Sequence, residues 1–465
     1  MSSSIFENMP VPRLFWHCVL PVSVSMLCAS IYIVIDGMFV GHYMGHESLA
    51  AISLMWPLLA VCFSLGDLIT SGSSVQIGIY LGRHDKEKAG RIFTVCVTAI
   101  ALLASLMGTA CYFFTDDFLY LLGADAKTTA LGISYTKSYC FFMPMVTLFF
   151  TVNSYLRLCG LQKYSMYINI FVSILNLILD YIFIAVLRQG VWSASFTTCV
   201  SMTAGTLIGA VPFILKKTDL RFILGGFSSR IFYRMLFNGS STFLTSNSWS
   251  VLQLCFNTML LQLGGSLAVG ATAAVMYLNS VISMLLMGMA QALQPALSYC
   301  YGAKLFKRVY RINRKVLLTS GVFSILSCVI LELFGDYVVP FYAQDGDYAF
   351  MEMMRLCLRI IAISFLVNWI ETCLDVYLTA LDSPGRSFVV SMCRTMIFPL
   401  AFLYICAPVF GLVGIWLSPT FAGTASAIVS IYAAKSLWKE KMACCFDFNL
   451  LLFKYLKLIL IKEKR

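Results

Sequence analysis

Twelve stretches of this sequence run for about 20 residues or more with little charge, the length one helix needs to cross a bilayer. They cover residues 14–43, 49–80, 91–114, 130–156, 165–187, 191–215, 236–262, 269–300, 312–335, 352–380, 387–407 and 411–435. A backbone in hydrocarbon must satisfy its own hydrogen bonds, so unbroken apolar runs of this length admit helices and little else. The composition agrees, with 60% of residues hydrophobic and 12% charged, against about 25% charged in a soluble globular chain. The sequence predicts an all-α polytopic membrane protein with twelve transmembrane helices. Several windows exceed the minimum, which allows tilt or kinks without specifying an angle.

Lysine and arginine sort the connections onto two sides. One side collects Arg13; Arg83, Lys86, Lys88 and Arg91; Arg157 and Lys163; Lys216, Lys217, Arg221, Arg230 and Arg234; six basic residues from Lys304 to Lys315; and Arg386. The other holds only Lys127 and Arg188, with acids such as Asp116, Asp117 and Asp336. The positive-inside rule then places both termini in the cytoplasm of a multi-pass protein of the cell membrane. The net charge of +11 belongs to loops facing anionic headgroups, so nucleic acid is not a needed partner. The first basic residue is Arg13, and the apolar run behind it is too long for a signal-peptide core, so the first span is expected to stay.

Enzyme signatures are weak. Of the four histidines only His42 and His46, with Glu47 adjacent, are spaced like ligands on a helix. They fall at an outer loop, and no metal is expected. No GxxxxGK[ST] loop is present, which argues against an ATP motor on this chain. No catalytic constellation is evident, and no cofactor is expected. The 17 cysteines are scattered through apolar runs without a CxxC pair and read as small hydrophobes. Cys444–Cys445 is a juxtamembrane doublet of the kind that can carry palmitate, although two small apolar residues are the plainer reading.

The chain also repeats itself. Residues 80–93 match 300–312, pairing Gly82 with Gly302 and Arg91 with Arg311; 156–165 match 378–387, and 190–198 match 411–419, all at offsets of 220 to 222. A duplicated unit of six spans enters the membrane twice in the same direction, so the halves should be related by an axis along the membrane normal. That arrangement is two six-helix bundles facing one cavity. The expected divisions are an N-terminal lobe over 1–215, a basic amphipathic linker helix on the cytoplasmic surface over 216–235, a C-terminal lobe over 236–435, and a basic amphipathic tail over 436–465. The tail either lies along the inner leaflet or is a solvated helix without a role.

The duplication supplies an internal control for the charges inside the spans. At an offset near 222, Asn176 aligns with Phe398, Asp180 with Phe402 and Thr198 with Pro419. Asp36 in the first span meets uncharged residues between Leu254 and Phe256. Packing alone does not require these acids, each of which costs about 2.5–3.5 kcal/mol at the centre of a spanning helix. A carboxylate buried in this way can take a proton from one side and release it to the other when its access to water changes. The plainer alternative is that Asp36 only ties neighbouring helices, and that Asp180 with Asn176, on one helical face, forms a structural polar knot.

Glu371 and Asp375 form a second pair four residues apart, with Phe149 and Asn153 as N-half counterparts. They are candidates for a cation site, but Arg355, Arg359 and Arg394 offer partners, and an intramembrane salt-bridge network is the preferred reading. Pro21 lies fifteen residues before Asp36, about 22 Å along a helix, where a kink would act as a hinge for the cavity wall. Aromatic residues at 14% leave some to line a cavity and hold flat cations, and others to serve as packing or interfacial belts.

The run from Pro21 through Asp36–Gly37 to Gly41 and Gly45, Gly82 with its basic followers, Asn176 to Asp180 and Phe183, and Gly190 to Thr198 together resemble the multidrug and toxic compound extrusion (MATE) family. The resemblance runs through all twelve spans. It implies a V-shaped two-lobed transporter, monomeric among membrane lipids, that expels organic cations or amphipathic drugs in exchange for H+ or Na+. It further implies that Asp36 is a coupling aspartate, that Asn176, Asp180 and Thr198 form an N-lobe polar cluster, and that Pro21 is a bending proline. Sodium-coupled members often carry a glutamate in the seventh span, which here has no acid, so the chain looks like the DinF-type branch with H+ preferred. The rival readings are a flippase of lipid-linked oligosaccharides from the wider superfamily, which Arg355, Arg359 and Arg394 would serve, and an intramembrane enzyme.

Overall fold

The computed structural model describes residues 5–121, 126–225, 229–341 and 348–442, which contain helices and no strand. A short α1 (Ile5–Asn8) precedes α2 (Val11–Met44), α3 (His46–Gly82), α4 (Lys86–Leu121) and α5 (Ala126–Leu158). Then come α6 (Gln162–Asp180), which continues into a π-helical turn (Tyr181–Val186), and α7 (Val191–Ile214). The second half holds α8 (Ser229–Ala292), α9 (Gln294–Gly302), α10 (Phe306–Val338), α11 (Tyr348–Ala380), α12 (Pro384–Met392) with a π-helical turn (Cys393–Ile397), and α13 (Phe398–Met442). Two of these helices exceed one bilayer and turn back at a glycine in the left-handed region, α8 at Gly265 (φ 65°) and α13 at Gly411 (φ 59°). Gly265 falls between two windows expected from the sequence and Gly411 on the first residue of the last one, and counting both breaks gives twelve crossings among the described residues.

Large apolar side chains cover the outside, among them Phe141 at 81%, Leu102 at 67% and Val322 at 66% exposure. Water would penalise such a surface, and acyl chains do not. The described cysteines are free thiols, most of them buried. One large apolar core unites α2 to α7 with Leu293, Leu297, Tyr377 and Trp438 of the second half, while a separate cluster around Leu260, Ala271 and Trp416 belongs to the second half alone. The halves are thus joined at one end of the molecule.

That joint is made of close helix crossings. A Cβ built on Gly82 would stand 2.0 Å from the Tyr299 carbonyl oxygen, and one on Gly302 would stand 2.1 Å from that of Ile79. Gly72 meets the Met235 carbonyl and Gly239 that of Leu68 in the same way. The N-terminus adds a strap: Phe6 is fully buried beside Tyr299, with ring centroids 5.8 Å apart, and Arg308 of α10 donates from Nε to the Phe6 carbonyl at 2.6 Å and from Nη2 to the Met9 carbonyl.

The linker differs from expectation. Instead of a helix across 216–235, residues 216–225 are turned or extended and helix begins only at Ser229. Non-helical bonds hold the segment: Ile223 N–H donates to Thr94 Oγ1 at 2.9 Å, Thr218 Oγ1 donates to the Leu220 carbonyl at 2.8 Å, and Lys86 pairs with Asp219 at 2.7 Å. Nearby, Asp85 receives the Lys88 N–H at 3.1 Å and starts α4. That backbone bond first, and the Lys88 ammonium second, hold the Asp85 carboxyl below its usual range. Residues 436–442 are the last turns of α13; the rest of the expected tail, with Cys444 and Cys445, lies outside the described residues.

Candidate functional site

Where the halves separate they enclose a cavity of about 720 Å³. Its walls come from both halves, including Tyr32 and Asp36 of α2, Asp67 of α3, Tyr135 and Arg157 of α5, Thr198 of α7, Met284 of α8 and Asp375 of α11. Helices α3 and α5 run side by side in a register set by three hydroxyl pairs: Thr70–Thr151 at 2.8 Å, Ser73–Tyr155 at 2.7 Å and Ser74–Ser154 at 3.0 Å.

In the N-terminal half the structure brings Asp36, Asp180, Asn176 and Thr198 together. Asp180 is fully buried at the last α-helical residue before the π turn of α6, a deformation that recurs at functional sites. Thr197 Oγ1 donates to its Oδ1. Asn176 Nδ2 donates to Thr198 Oγ1 at 3.3 Å. Asp36, half-buried in the cavity wall, lies beside Asp180, near enough for the two carboxyl groups to act on each other. Yet Asp36 Oδ1, Asp180 Oδ2 and Asn176 Oδ1 are buried without a donor. Two ionised carboxylates are both acceptors, so the contact becomes a hydrogen bond only when one of them carries a proton. The same oxygens are hard ligands of the type Na+ accepts. Among the described residues no group of three or more His, Cys, Asp and Glu side chains is placed to hold a metal ion.

Pro21 is buried within α2, which runs unbroken from Val11 to Met44. It has no N–H for the carbonyl of His17, so one rung of the ladder is missing there, while Ser25 Oγ donates to the Pro21 carbonyl at 2.9 Å.

In the C-terminal half Asp375 Oδ1 accepts from Ser391 Oγ at 2.9 Å and Ser387 Oγ at 3.4 Å, and its Oδ2 lies 3.2 Å from Arg394 Nη2. Arg394 also donates to Thr245 Oγ1 at 3.3 Å. Glu371 is buried with Oε2 unpartnered and Arg394 as its facing cation. Arg355 and Arg359 do not join this group. They stand sixteen and more residues up α11 from Asp375, about 24 Å or further along the helix, and pair with Asp336 at 3.7 and 2.9 Å.

Sequence reasoning missed three residues. Thr197, beside the expected Thr198, is the one that holds Asp180. Asp67 is an acid inside an apolar span, and the rule that singled out Asp36 also selects it. Arg157 reads in sequence as a loop cation because it closes α5, yet it lines the cavity; nothing in the spacing distinguishes the two placements.

The protein-family model MatE matches residues 21–182 and 242–405. Among curated proteins the chain is similar to the multidrug export protein MepA of Staphylococcus aureus, 26% identical over 431 residues that span 92% of this chain and 94% of that one. It is also similar to MepA of Staphylococcus saprophyticus, 25% identical over 428 residues with the same shares. Among solved structures it resembles a MATE protein in the bent conformation, with TM-score 0.88 and 20% identity over 96% of this chain and 100% of that one. The outward-facing conformation of a multidrug resistance MATE family transporter gives TM-score 0.87 and 20% identity over 94% and 98%. At that identity the likeness is one of fold.

Proposed function

The chain belongs to the MatE family, and from that membership and its buried carboxyl pair we propose a secondary active exporter that moves organic cations or amphipathic drugs outward against inward H+ flow. The observation that carries this reading is the contact of Asp36 and Asp180 at the wall of a cavity shared by both halves. In the present state the halves are joined at the end bearing Arg83 and Lys304, which the basic loops assign to the cytoplasm, so the cavity opens outward. A proton entering from outside bridges the two carboxyl groups, removes one negative charge from the wall, and weakens the hold on a cationic cargo. Cargo leaves outward. The lobes, over 1–215 and 236–435, then part at the cytoplasmic joint and close outside, with the missing rung at Pro21 as the place where α2 bends. On the cytoplasmic side the proton departs, and the restored charge favours the next cation. Each proton moved inward contributes about 2.3 kcal/mol per 100 mV.

The protein works as a monomer in the cell membrane with both termini cytoplasmic. The oxygens of Asn176, Asp180 and Asp36 favour a second version in which Na+ replaces H+. The flippase reading loses support because Arg355 and Arg359 are spent on Asp336 away from the cavity, and Arg394 is neutralised by Asp375. Enzymatic chemistry has no place in a family of transporters. Proteoliposomes given a pH gradient or a sodium gradient separately, with ethidium as cargo, test the reading. Export driven by the pH gradient alone is expected; dye movement independent of both gradients contradicts antiport.

A further inference from the structure

Among the described residues four charged side chains line the cavity: Asp36, Asp67, Arg157 and Asp375. Asp36 faces Asp180, and Asp375 is paired with Arg394. Asp67 and Arg157 remain. Among the described residues neither side chain takes part in an ion pair or a hydrogen bond, although both line the cavity. A single uncompensated charge in a protein wall is costly, and this wall keeps two of opposite sign.

The two are also too far apart to neutralise each other. Gly66 meets Thr147, and Thr70 bonds to Thr151, so Asp67 lies level with Leu148. Arg157 is nine residues further along α5, about 14 Å deeper toward the closed joint. Their surroundings differ to match. One turn before Asp67 stands Phe63, packed edge-on against Tyr139 at 5.9 Å, a surface suited to an ammonium group. Around Arg157 the cavity is lined by the amides of Asn153, Gln162 and Gln294, and between the two levels by Phe149 and Phe150.

We propose that the cavity recognises its cargo at two poles, Asp67 holding a cationic end and Arg157 an anionic end, so that elongated zwitterions with an apolar middle bind best. This rests on the reading of the cavity as the cargo site. A guanidinium at the floor suits a carboxylate because it presents a planar fork of donors.

The test is equilibrium binding to the purified full-length protein in lipid nanodiscs. The probes are norfloxacin, a zwitterion near neutral pH, and its ethyl ester, which keeps the ammonium group and lacks the carboxylate. Wild-type protein is expected to prefer norfloxacin by about tenfold. Arg157→Gln should abolish that preference, Arg157→Lys should retain most of it, and Asp67→Asn should weaken both compounds by a similar factor. Equal affinity of the two compounds for the wild type overturns the proposal even if Arg157→Gln does not fold, as does a preference that survives intact in a folded Arg157→Gln. Because binding needs no gradient, a protein that binds with this preference but exports nothing overturns only the export reading. A wild type that binds neither compound overturns both.

Discussion

Asn153 and Asp375 stand at the same place in the two halves of the chain. Asn153 Oδ1 accepts from Ser165 Oγ at 2.7 Å and Asn169 Nδ2 at 2.9 Å, and Asp375 Oδ1 accepts from Ser387 and Ser391, with each of the three residues displaced by 222. The same displacement carries Val172 to Arg394. One copy therefore builds this knot from a neutral amide and the other from a carboxylate with its own counter-charge.

That pairing predicts a non-additive pair of mutations. Arg394→Val alone leaves Asp375 charged and uncompensated, at an expected cost of about 3–5 kcal/mol. Combining it with Asp375→Asn restores the neutral amide of the other half and should recover the share of the loss that Asp375 carries, leaving the share owed to Glu371. Thermal melting of the two single variants and the double variant in detergent measures the coupling; simple additivity would show that the two charges act independently.

The crossings of Gly82 and Gly302 predict intolerance to a single methyl group. Backbone oxygens at 2.0 and 2.1 Å from the added Cβ cannot move as a side-chain tip would, so Gly82→Ala or Gly302→Ala should each cost about 1–3 kcal/mol. Gly270→Ala is the control, since its Cβ would find only Phe350 at 3.5 Å. It should melt at or above the wild-type temperature. Equal melting of all three variants would mean that the joint is looser than these distances.

Arg308 predicts the behaviour of the N-terminal strap. Its guanidinium holds two carbonyls of residues 6–9 from the opposite half, and Arg308→Ala removes both bonds. Hydrogen exchange over residues 5–14 should then accelerate by tenfold or more, equivalent to about 1.4 kcal/mol or more of lost protection. Unchanged exchange would assign the anchoring to Phe6 packing and to the contacts of Tyr299 with Glu7 and of Cys300 with the Phe6 carbonyl.

Much of this was legible in the sequence because the bilayer leaves few choices. Helix number follows from apolar length, and the breaks at Gly265 and Gly411 fall where two windows met a glycine. The repeat was legible too, and with it the unequal placement of acids at Asp36 and Asp180. The linker was not, since its hydrogen bonds go to Thr94 and Lys86, remote residues that no local pattern reveals. Nor were the partners of Arg355 and Arg359, because one long helix places charges at both of its ends. Arg157 shows the same limit: a cation at the end of a span looks identical in sequence whether it turns to a headgroup or into a cavity.

The central claim is that Asp36 and Asp180 share a proton that cargo displaces. Proton release answers it directly: ethidium is added to purified protein in weakly buffered solution and the pH is followed with an indicator dye. Wild-type protein should release on the order of one proton per cation bound, while Asp36→Asn and Asp180→Asn should release little. Binding without release in the wild type, or undiminished release in both variants, would contradict the account.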